Sequence, residues 1–387
     1  MSGAGTGAPG PASLASRALA PDLARGVMLL FIALANSHYF LRGPSVLGGY
    51  PQDGSGADRA VAWALSTFVD GRAFPLFGLL FGYGVARIAD RHQALGPRSV
   101  RRLLWRRSLV LVAVGFVHAV LLYVGDILTA YGVLLFLGVW ALRWSDRRLL
   151  ALAAVMLLIV AVPGEGSLTA STDPPGPAML PPDALTMVVE RVPVSLFIAV
   201  LGPISFLGPL LVGLWSGRRR ILEGPERHRR LLLGTAVVGL LVAVLGAQPI
   251  ALVHAGVLDR PDGAGLQVLG ALHDATGVLG GFGYAALLAL VAVRLEAGRR
   301  GPVVEAITAA GQRSMTCYLS QSVVWAVVFT PFLLDLSDTL DVATTALLAS
   351  ATWVATVVVA DRMRRAGHRG PFESLVRRVT YGRRGRA

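Results

Sequence analysis

The sequence predicts an all-α fold, a polytopic transmembrane bundle of about ten spanning helices with its N and C termini in the cytoplasm. Two observations predict it. Of the 387 residues, 54% are hydrophobic and 15% are charged, a composition far more apolar than that of a soluble domain. The connections between the apolar runs alternate between arginine-rich and acidic composition. We therefore expect a lipid bilayer as the surroundings of the chain.

Ten apolar runs are candidates for spanning helices, and the fourth and fifth of them are short. A spanning helix needs about twenty mostly apolar residues, because only hydrogen bonds within the helix satisfy its backbone in lipid. The predicted spans are 23–41, 60–86, 103–124, 127–143, 148–163, 186–215, 231–252, 268–294, 303–334 and 342–361. The fourth and fifth could be partly tilted or reentrant, and the sequence offers no clear pair of broken helices.

Arginines accumulate on every second connection, and this orients the bundle. Basic side chains favour the cytoplasmic loops of membrane proteins. The basic connections are 87–107, 143–148, 217–230, 294–300 and the tail after Arg362. The alternate connections carry aspartate or glutamate and almost no arginine. Since one miscounted helix would destroy this alternation, the sequence predicts a multi-pass protein of the cell membrane.

Charge and composition also divide the chain. The formal net charge of +13 would favour nucleic acid as the partner of a soluble protein, but here the arginines lie in short clusters between apolar runs, so we expect no nucleic-acid partner. The predicted parts are a disordered cytoplasmic tail (1–20), helices 1–5 (21–163), an extracytoplasmic loop (164–185), helices 6–10 (186–361) and a basic cytoplasmic tail (362–387).

Ionisable groups inside the first span are functional candidates, because such groups are costly in lipid. Asp22 and Arg25 stand at its cytoplasmic end, three residues apart, where they can pair. Asn36 and His38 follow about three turns later, near the outer end. The pairing alone would explain Asp22 and Arg25, and a role in binding is the alternative.

The second span carries Asp70 and Arg72 inside its apolar stretch, where both need partners. Gly78 and Gly82 form a face of small residues that permits close helix packing. Pro75 predicts a kink.

The third span places His118 toward the outer side, and a tight turn with Asp126 follows. An aspartate in contact with the imidazole would fix its tautomer and leave the other nitrogen free to take a proton from an alcohol or amine. A structural histidine that caps the turn is the alternative, and both interpretations stay open.

Two further groups of polar residues lie in the second half of the chain. His254, His273 and Asp274 are near outer ends of predicted spans, but no HxxxH or HExxH pair exists, so we predict no metal site. The ninth span carries a polar stripe that either joins helices or lines a cavity. The stripe includes Ser314, Thr316, Tyr318 and Gln321.

Several separated motifs carry a resemblance to a known family. They are DLARG (22–26), FVDGRAFPLFGLLFGYG (68–84), the series from His118 through GDIL to Tyr131, GQRSMTCYLSQS (311–322) and GPFESLVRRVTYG (370–382). Together they resemble the YeiB family of membrane proteins of unknown function over nearly the whole chain. Ser374 stands where that family's pattern has an aromatic residue, and Cys317 replaces a usual Asn.

The YeiB family is in turn similar to transmembrane acyltransferases of the heparan glucosaminide acetyltransferase type. That similarity implies an enzyme that takes an acyl group from cytoplasmic acyl-CoA and delivers it to a hydroxyl or amine on the other side. The acceptor would be a carbohydrate, lipid or peptide. Acyl-CoA would be a co-substrate, and no tightly bound cofactor is expected.

The resemblance implies roles for residues of this chain. His118 or His38 would be the base, and Asp126 would orient it. The arginines expected to hold donor phosphates are Arg25, Arg101, Arg102 and Arg106, although topology and lipid headgroups also explain them. Polar groups of the ninth span would line the channel between donor and base. The remaining candidates for substrate binding are Asp22, Asn36, Asp70, Arg72 and Tyr131.

Two other functions stay open at this point. Polar residues in several spans and the glycine-rich second span also fit a transporter or exporter. The sequence shows neither inverted repeats nor a clear pair of broken helices, and both absences disfavour a transporter. A noncatalytic membrane partner protein is the third possibility.

Overall fold

The computed structural model describes residues 18–298 and 300–382. Residues 1–17 of the predicted tail, residue 299 and residues 383–387 of the basic tail lie outside the described residues. The helices are α1 (Leu19–Ser37), α2 (Gly56–Phe68), α3 (Ala73–Arg91), α4 (Pro97–Leu121), α5 (Leu128–Gly138), α6 (Asp146–Val160), α7 (Ala184–Arg218), α8 (Arg229–His254), α9 (Gly263–Glu296), α10 (Pro302–Gln312), α11 (Ser314–Phe329), α12 (Val342–Arg365) and α13 (Pro371–Tyr381). One antiparallel hairpin joins β1 (Val46–Leu47) to β2 (Tyr50–Pro51).

The all-α fold class is confirmed, and the chain has the helices of a membrane protein. Within the described ranges, seven segments are long and apolar enough to cross a bilayer, namely Leu19–Phe40, Gly56–Arg91, Pro97–Leu121, Ala184–Arg218, Pro225–His254, Gly263–Glu296 and Val342–Arg365. Leu128–Arg143 and Ser314–Phe329 are shorter apolar helices. The predicted fifth span corresponds to α6, which has 15 residues. Ten spans and cytoplasmic chain ends stay predictions.

Arginine-rich connections meet at one end of the bundle, which we call the inner end. Arg219 pairs with Asp146 at 2.8 Å, which joins the connection after α7 to the start of α6. Arg220 pairs with Asp90 at 2.9 Å, which joins the same connection to the end of α3. Three basic connections that are distant in the sequence are therefore neighbours in space.

The acidic connections meet at the opposite end, which we call the outer end. Arg42 pairs with Asp338 at 2.8 Å, and the N–H of Gly48 donates to the carbonyl of Ser171 at 2.7 Å. The segment after α1 thus touches both the loop before α7 and the loop before α12. The two sets of connections that composition distinguishes lie at two different ends of the molecule.

The second predicted span is not one helix. It is interrupted between Phe68 and Ala73, and Gly71 there adopts a positive φ of +72°. A Cβ at Gly71 would lie 3.1 Å from the ring of His273, so both the conformation and the space favour glycine. The prediction of a continuous helix over 60–86, kinked at Pro75, is wrong. Pro75 instead lies in the first turn of α3, where its missing N–H leaves no hydrogen bond unmade.

The ninth predicted span, 303–334, is also interrupted. α10 ends at Gln312, and Arg313 leaves the helical conformation with φ −117° and ψ 30° before α11 begins. Just before the break, Gly311 lies so close to α1 that an added Cβ would be 1.8 Å from the carbonyl oxygen of Asp22. Close packing on α1 and a change of helix direction therefore occur together, and the expectation of no broken helix pair is wrong as well.

Helices α3 and α7 pack with their backbones in contact. A Cβ added at Gly82 would lie 2.2 Å from the carbonyl oxygen of Leu210, and one added at Gly213 would lie 2.2 Å from that of Leu79. The small-residue face that the sequence predicts on the second span is thus the face that meets α7. Such contact brings α3 close enough to form one wall of an internal cavity.

Replacing Gly82 by alanine is expected to lower the free energy of unfolding by about 1–3 kcal/mol, because the methyl group must push α3 away from α7. Gly234 on α8 is the matched control, since a Cβ there meets no atom within 4 Å. Thermal unfolding of Gly82→Ala and Gly234→Ala in one detergent measures the difference. Equal melting temperatures would contradict the backbone contact.

Candidate functional site

A cavity of about 740 Å³ runs from the inner end into the bundle. Arg91, Glu223 and Arg369 line it at the inner end, and Ile32 and Tyr318 line it deeper inside. Helices α1, α3, α4, α5, α11 and α13 contribute to its wall. The volume lies within the range of about 300–1,000 Å³ that small-molecule sites occupy.

The inner part of the cavity is strongly basic. Its wall holds seven arginines and three carboxylates, which are Arg25, Arg87, Arg91, Arg107, Arg313, Arg369, Arg377, Asp22, Glu223 and Glu373. Arg25 pairs with Asp22 at 3.0 Å, and Arg87 pairs with Glu223 at 2.7 Å. The excess of guanidinium groups favours a ligand that carries several negative charges.

The deep part of the cavity is apolar and aromatic. Its wall is formed by Leu29, Ile32, Phe77, Phe81, Leu111, Leu128 and Tyr131. The hydroxyl of Tyr131 donates to the carbonyl of Phe74 at 3.1 Å, so the ring is held in place. The cavity therefore changes from cationic to apolar along its length, which suits an amphipathic ligand with an anionic head.

A buried histidine and aspartate lie beyond the deep end of the cavity. Nδ1 of His118 is 2.8 Å from Oδ1 of Asp126, and both side chains are about 1% exposed. The other carboxylate oxygen accepts from the backbone N–H and the hydroxyl of Thr129, at 2.8 and 3.0 Å. Because these contacts hold the carboxylate as an acceptor, the His118 ring donates to it from Nδ1, and in the neutral ring Nε2 is then the acceptor.

Nε2 of His118 is buried and has no hydrogen-bond partner within the described ranges. Tyr318 stands beside it, with ring centroids 5.1 Å apart. Tyr318 lines the cavity and His118 does not, so the tyrosine ring lies at the boundary between the two. The arrangement places a potential base one side chain away from a large internal cavity.

A second group of buried side chains, the outer polar cluster, surrounds the break between α2 and α3. Its members are His38, Tyr50, Asp70, Arg72, His254 and His273. The Tyr50 hydroxyl donates to Oδ2 of Asp70 at 2.6 Å, and the His38 ring stacks on Tyr50 with centroids 4.1 Å apart. Burial, together with the Asp70 carboxylate, raises the pKa of Tyr50 well above its ordinary value, so the hydroxyl stays a donor.

Arg72 joins this cluster to the helices around it. Its guanidinium lies 2.6 Å from Nε2 of His273 and donates to the carbonyl of Ala243 at 2.8 Å, and it also contacts the carbonyl of Asp70. Asp70 and Arg72 thus have the partners that the sequence requires of them. In the part of the chain that the structure describes, no group of three or more His, Cys, Asp or Glu side chains is arranged to hold a metal ion.

Several of the predicted arginines lie elsewhere. Arg101, Arg102 and Arg106 do not line the cavity. The Arg101 guanidinium lies over the rings of Trp105 and Trp140, 5.1 and 4.7 Å from their centroids. The face of α4 that carries these three arginines is not the face turned to the cavity, and their contact with the donor stays a prediction.

The other predicted residues divide between the cavity and its surroundings. Those that line the cavity are Asp22, Arg25, Tyr131, Ser314 and Tyr318. Thr316 donates to Glu373, and Gln321 donates to the carbonyl of Leu29 at 3.4 Å. Asn36 is half-buried and outside the cavity wall, and the alternative base His38 belongs to the outer polar cluster.

Arg107, Arg313 and Glu373 are among the charged residues of the wall that are absent from the predicted site. For Arg107 the sequence holds a usable signal, because it lies three residues after Leu104 and four before Leu111, both buried. Helical spacing puts all three on one face. For Arg313 and Glu373 the signal is weaker, since it depends on a helix break that hydropathy does not show.

Residues 216–383 match the model of the family described as "Protein of unknown function (DUF418)". Over 395 aligned residues the chain is 27% identical to the uncharacterized protein YxaH of Bacillus subtilis (strain 168), covering 93% of each protein. Residues 216–383 are therefore similar to the DUF418 family. The uncharacterized protein YeiB of Escherichia coli (strain K12) is 37% identical over 119 residues, which are 29% of this chain and 27% of YeiB. The resemblance to YeiB proteins is confirmed.

The candidate site is built from both halves of the chain. The matched segment runs from the end of α7 to α13 and contains Arg313, Tyr318 and Glu373. His118 and Asp126 precede it on α4 and the turn before α5. A complete cavity therefore requires the N-terminal helices as well as the DUF418 segment.

In the outer polar cluster, Tyr50→Phe is expected to lower the free energy of unfolding by about 1–3 kcal/mol, because it leaves a buried carboxylate with one hydrogen bond fewer. The same change in an Asp70→Asn background should cost less, since the neutral amide needs less compensation. Thermal unfolding of the wild type, both single variants and the double variant gives the coupling. If the two substitutions lower the free energy of unfolding additively, the hydrogen bond between Tyr50 and Asp70 is contradicted.

Proposed function

We propose that this membrane protein transfers an acyl group from a phosphate-bearing thioester, acyl-CoA in the first instance, to a hydroxyl or amine acceptor at the outer end. The observation that carries the proposal is the cavity itself. It begins among arginines at the inner end and becomes apolar inward. It ends at Tyr318, beside the His118–Asp126 pair.

The donor would lie along this gradient. Its phosphates would meet the arginines of the inner part, where charge-assisted hydrogen bonds are strongest. Its less polar arm and acyl group would extend past Phe77 and Tyr131 toward Tyr318. The thioester carbonyl would then be near the boundary with His118, and rotation of the Tyr318 ring would admit it.

The chemistry requires one base and one orienting group. Nε2 of His118 would accept the acceptor's proton while the acceptor oxygen or nitrogen attacks the thioester carbonyl carbon. The carbon–sulfur bond would break as the tetrahedral intermediate collapses, and the imidazolium would return the proton to the leaving thiolate. Asp126 would keep Nδ1 protonated and stabilise the imidazolium. The buried Tyr318 hydroxyl would turn to donate to the carbonyl oxygen.

His118→Ala is expected to lower acyl transfer by about 100- to 10,000-fold, the usual contribution of a positioned base. Asp126→Asn should give a smaller loss, because it perturbs the tautomer and leaves the imidazole. His228→Ala, at the inner end and outside the cavity wall, is the matched control and should retain the rate. The measurement is release of free CoA from acetyl-CoA by purified protein with a panel of sugar, lipid and peptide acceptors. Full turnover by His118→Ala would contradict the assignment of His118 as the base.

A transporter is the second candidate, and the two interrupted helix pairs favour it. Breaks at Gly71 and Arg313 leave half-helices of the kind that surround substrates in secondary transporters. Such a protein would move its substrate across vesicles that contain no acyl donor. Donor-independent movement together with no release of CoA would favour transport over acyl transfer.

A further inference from the structure

A carboxylate of the chain itself occupies the N-terminus of α11. Oε1 of Glu373 accepts from the backbone N–H groups of Met315 and Thr316, at 2.9 and 3.1 Å. Oε2 accepts from the Thr316 hydroxyl at 2.5 Å. Glu373 comes from α13, nearly sixty residues later in the chain, and it lines the basic part of the cavity. The first turn of α11 is therefore capped from a different helix.

The same place has the features of an anion site. A helix of 16 residues begins there, and its free N–H groups and dipole favour negative charge. Arg313 stands directly before it and is 2% exposed. Two nitrogens of its guanidinium donate to the carbonyls of Ala309 and His368. Arg313 lines the cavity, and its Nε is buried and without a hydrogen-bond partner among the residues described. A buried guanidinium N–H of this kind has unused capacity for an oxyanion.

We infer that the first turn of α11, with Arg313, is a phosphate-binding site that Glu373 occupies until a phosphate of the donor displaces it. The inference deepens the proposed function and rests on it for the identity of the donor. The ligand class is a phosphate or diphosphate group. A phosphate oxygen would take the two N–H groups and the Thr316 hydroxyl that Glu373 now uses.

The position of α13 is compatible with such an exchange. Gly367 in the segment before α13 has a positive φ of +71°, and Gly370 approaches Glu373 so closely that a Cβ there would overlap Oε2. α13 is only 11 residues long and buries Val376 and Thr380, while Leu375 remains exposed. Most side chains of this short helix are exposed or half-buried, and such segments open at a lower free energy than the core of a fold.

Binding of inorganic pyrophosphate to the purified full-length protein tests the site without any acyl chemistry. Glu373→Gln is expected to bind pyrophosphate about tenfold more tightly than the wild type, because a neutral amide competes less well for the α11 N–H groups. Glu305→Gln is the matched control. Glu305 is an acid of neighbouring α10, outside the cavity wall, that pairs with Arg364, and its removal should leave the affinity unchanged.

The outcomes separate this inference from the proposed function. Equal affinities for the wild type and Glu373→Gln, or equal gains in Glu373→Gln and Glu305→Gln, would overturn the inference even if the protein transfers acyl groups. A selective gain in Glu373→Gln would support it even if no acyl acceptor is ever found.

A second measurement retains Glu373, in case its replacement prevents folding. A spin label at Ser374→Cys, in a Cys317→Ala background that removes the single native cysteine, reports the mobility of α13. Saturating pyrophosphate should increase the mobility of this label and leave a label at Ser99→Cys, on the exposed face of α4, unchanged. An unchanged spectrum at Ser374→Cys would contradict displacement of Glu373.

Discussion

Lipid offers no hydrogen bonds to a polypeptide backbone, so every interruption of a spanning helix must be satisfied from within the protein. This constraint explains where the charged side chains of the bundle lie. At the first break, Arg72 donates to the carbonyls of Asp70 and Ala243. At the second, Glu373 accepts from the free N–H groups of α11. Both large polar assemblies of the protein stand at places where a helix is interrupted.

The cavity depends on the same two breaks. The second break turns α11 so that Tyr318 reaches the deep end of the cavity, while Arg313 and Glu373 remain at the basic part. After the first break, α3 starts as a separate helix and packs against α7 through Gly82. Interrupted helices are costly in lipid unless they are fully compensated. At the second break the compensating groups, Arg313 and Glu373, also line an internal cavity, and a function at that cavity gives a reason for the cost.

Composition and the alternation of arginine-rich connections were sufficient to predict the fold class and to sort the connections between two ends. The contact of His118 with Asp126 also followed from the sequence, because eight residues and a tight turn bring them together. The two helix breaks, at Gly71 and Arg313, could not be predicted from the sequence. The residues around Gly71 are apolar enough to read as one span, and their partners, such as Tyr50 and His273, come from distant segments.

The direction in which side chains point explains the other differences between the predicted site and the observed one. The sequence shows a run of arginines before the third span but not which face of α4 meets the cavity, and Arg107 differs from Arg106 only by one step of the helix. His38 and His118 are similar candidates in sequence, both toward outer ends of spans. Only the packing assigns one to the outer polar cluster and the other to the end of the cavity.

A structure of the protein with a non-hydrolysable acyl-CoA analogue tests the central claim most directly. The account predicts density for the phosphates among Arg25, Arg107 and Arg313, with the acyl end beside Tyr318 and within reach of His118. An analogue bound at the outer end, or density that leaves the basic part of the cavity unoccupied at saturating concentration, would contradict it.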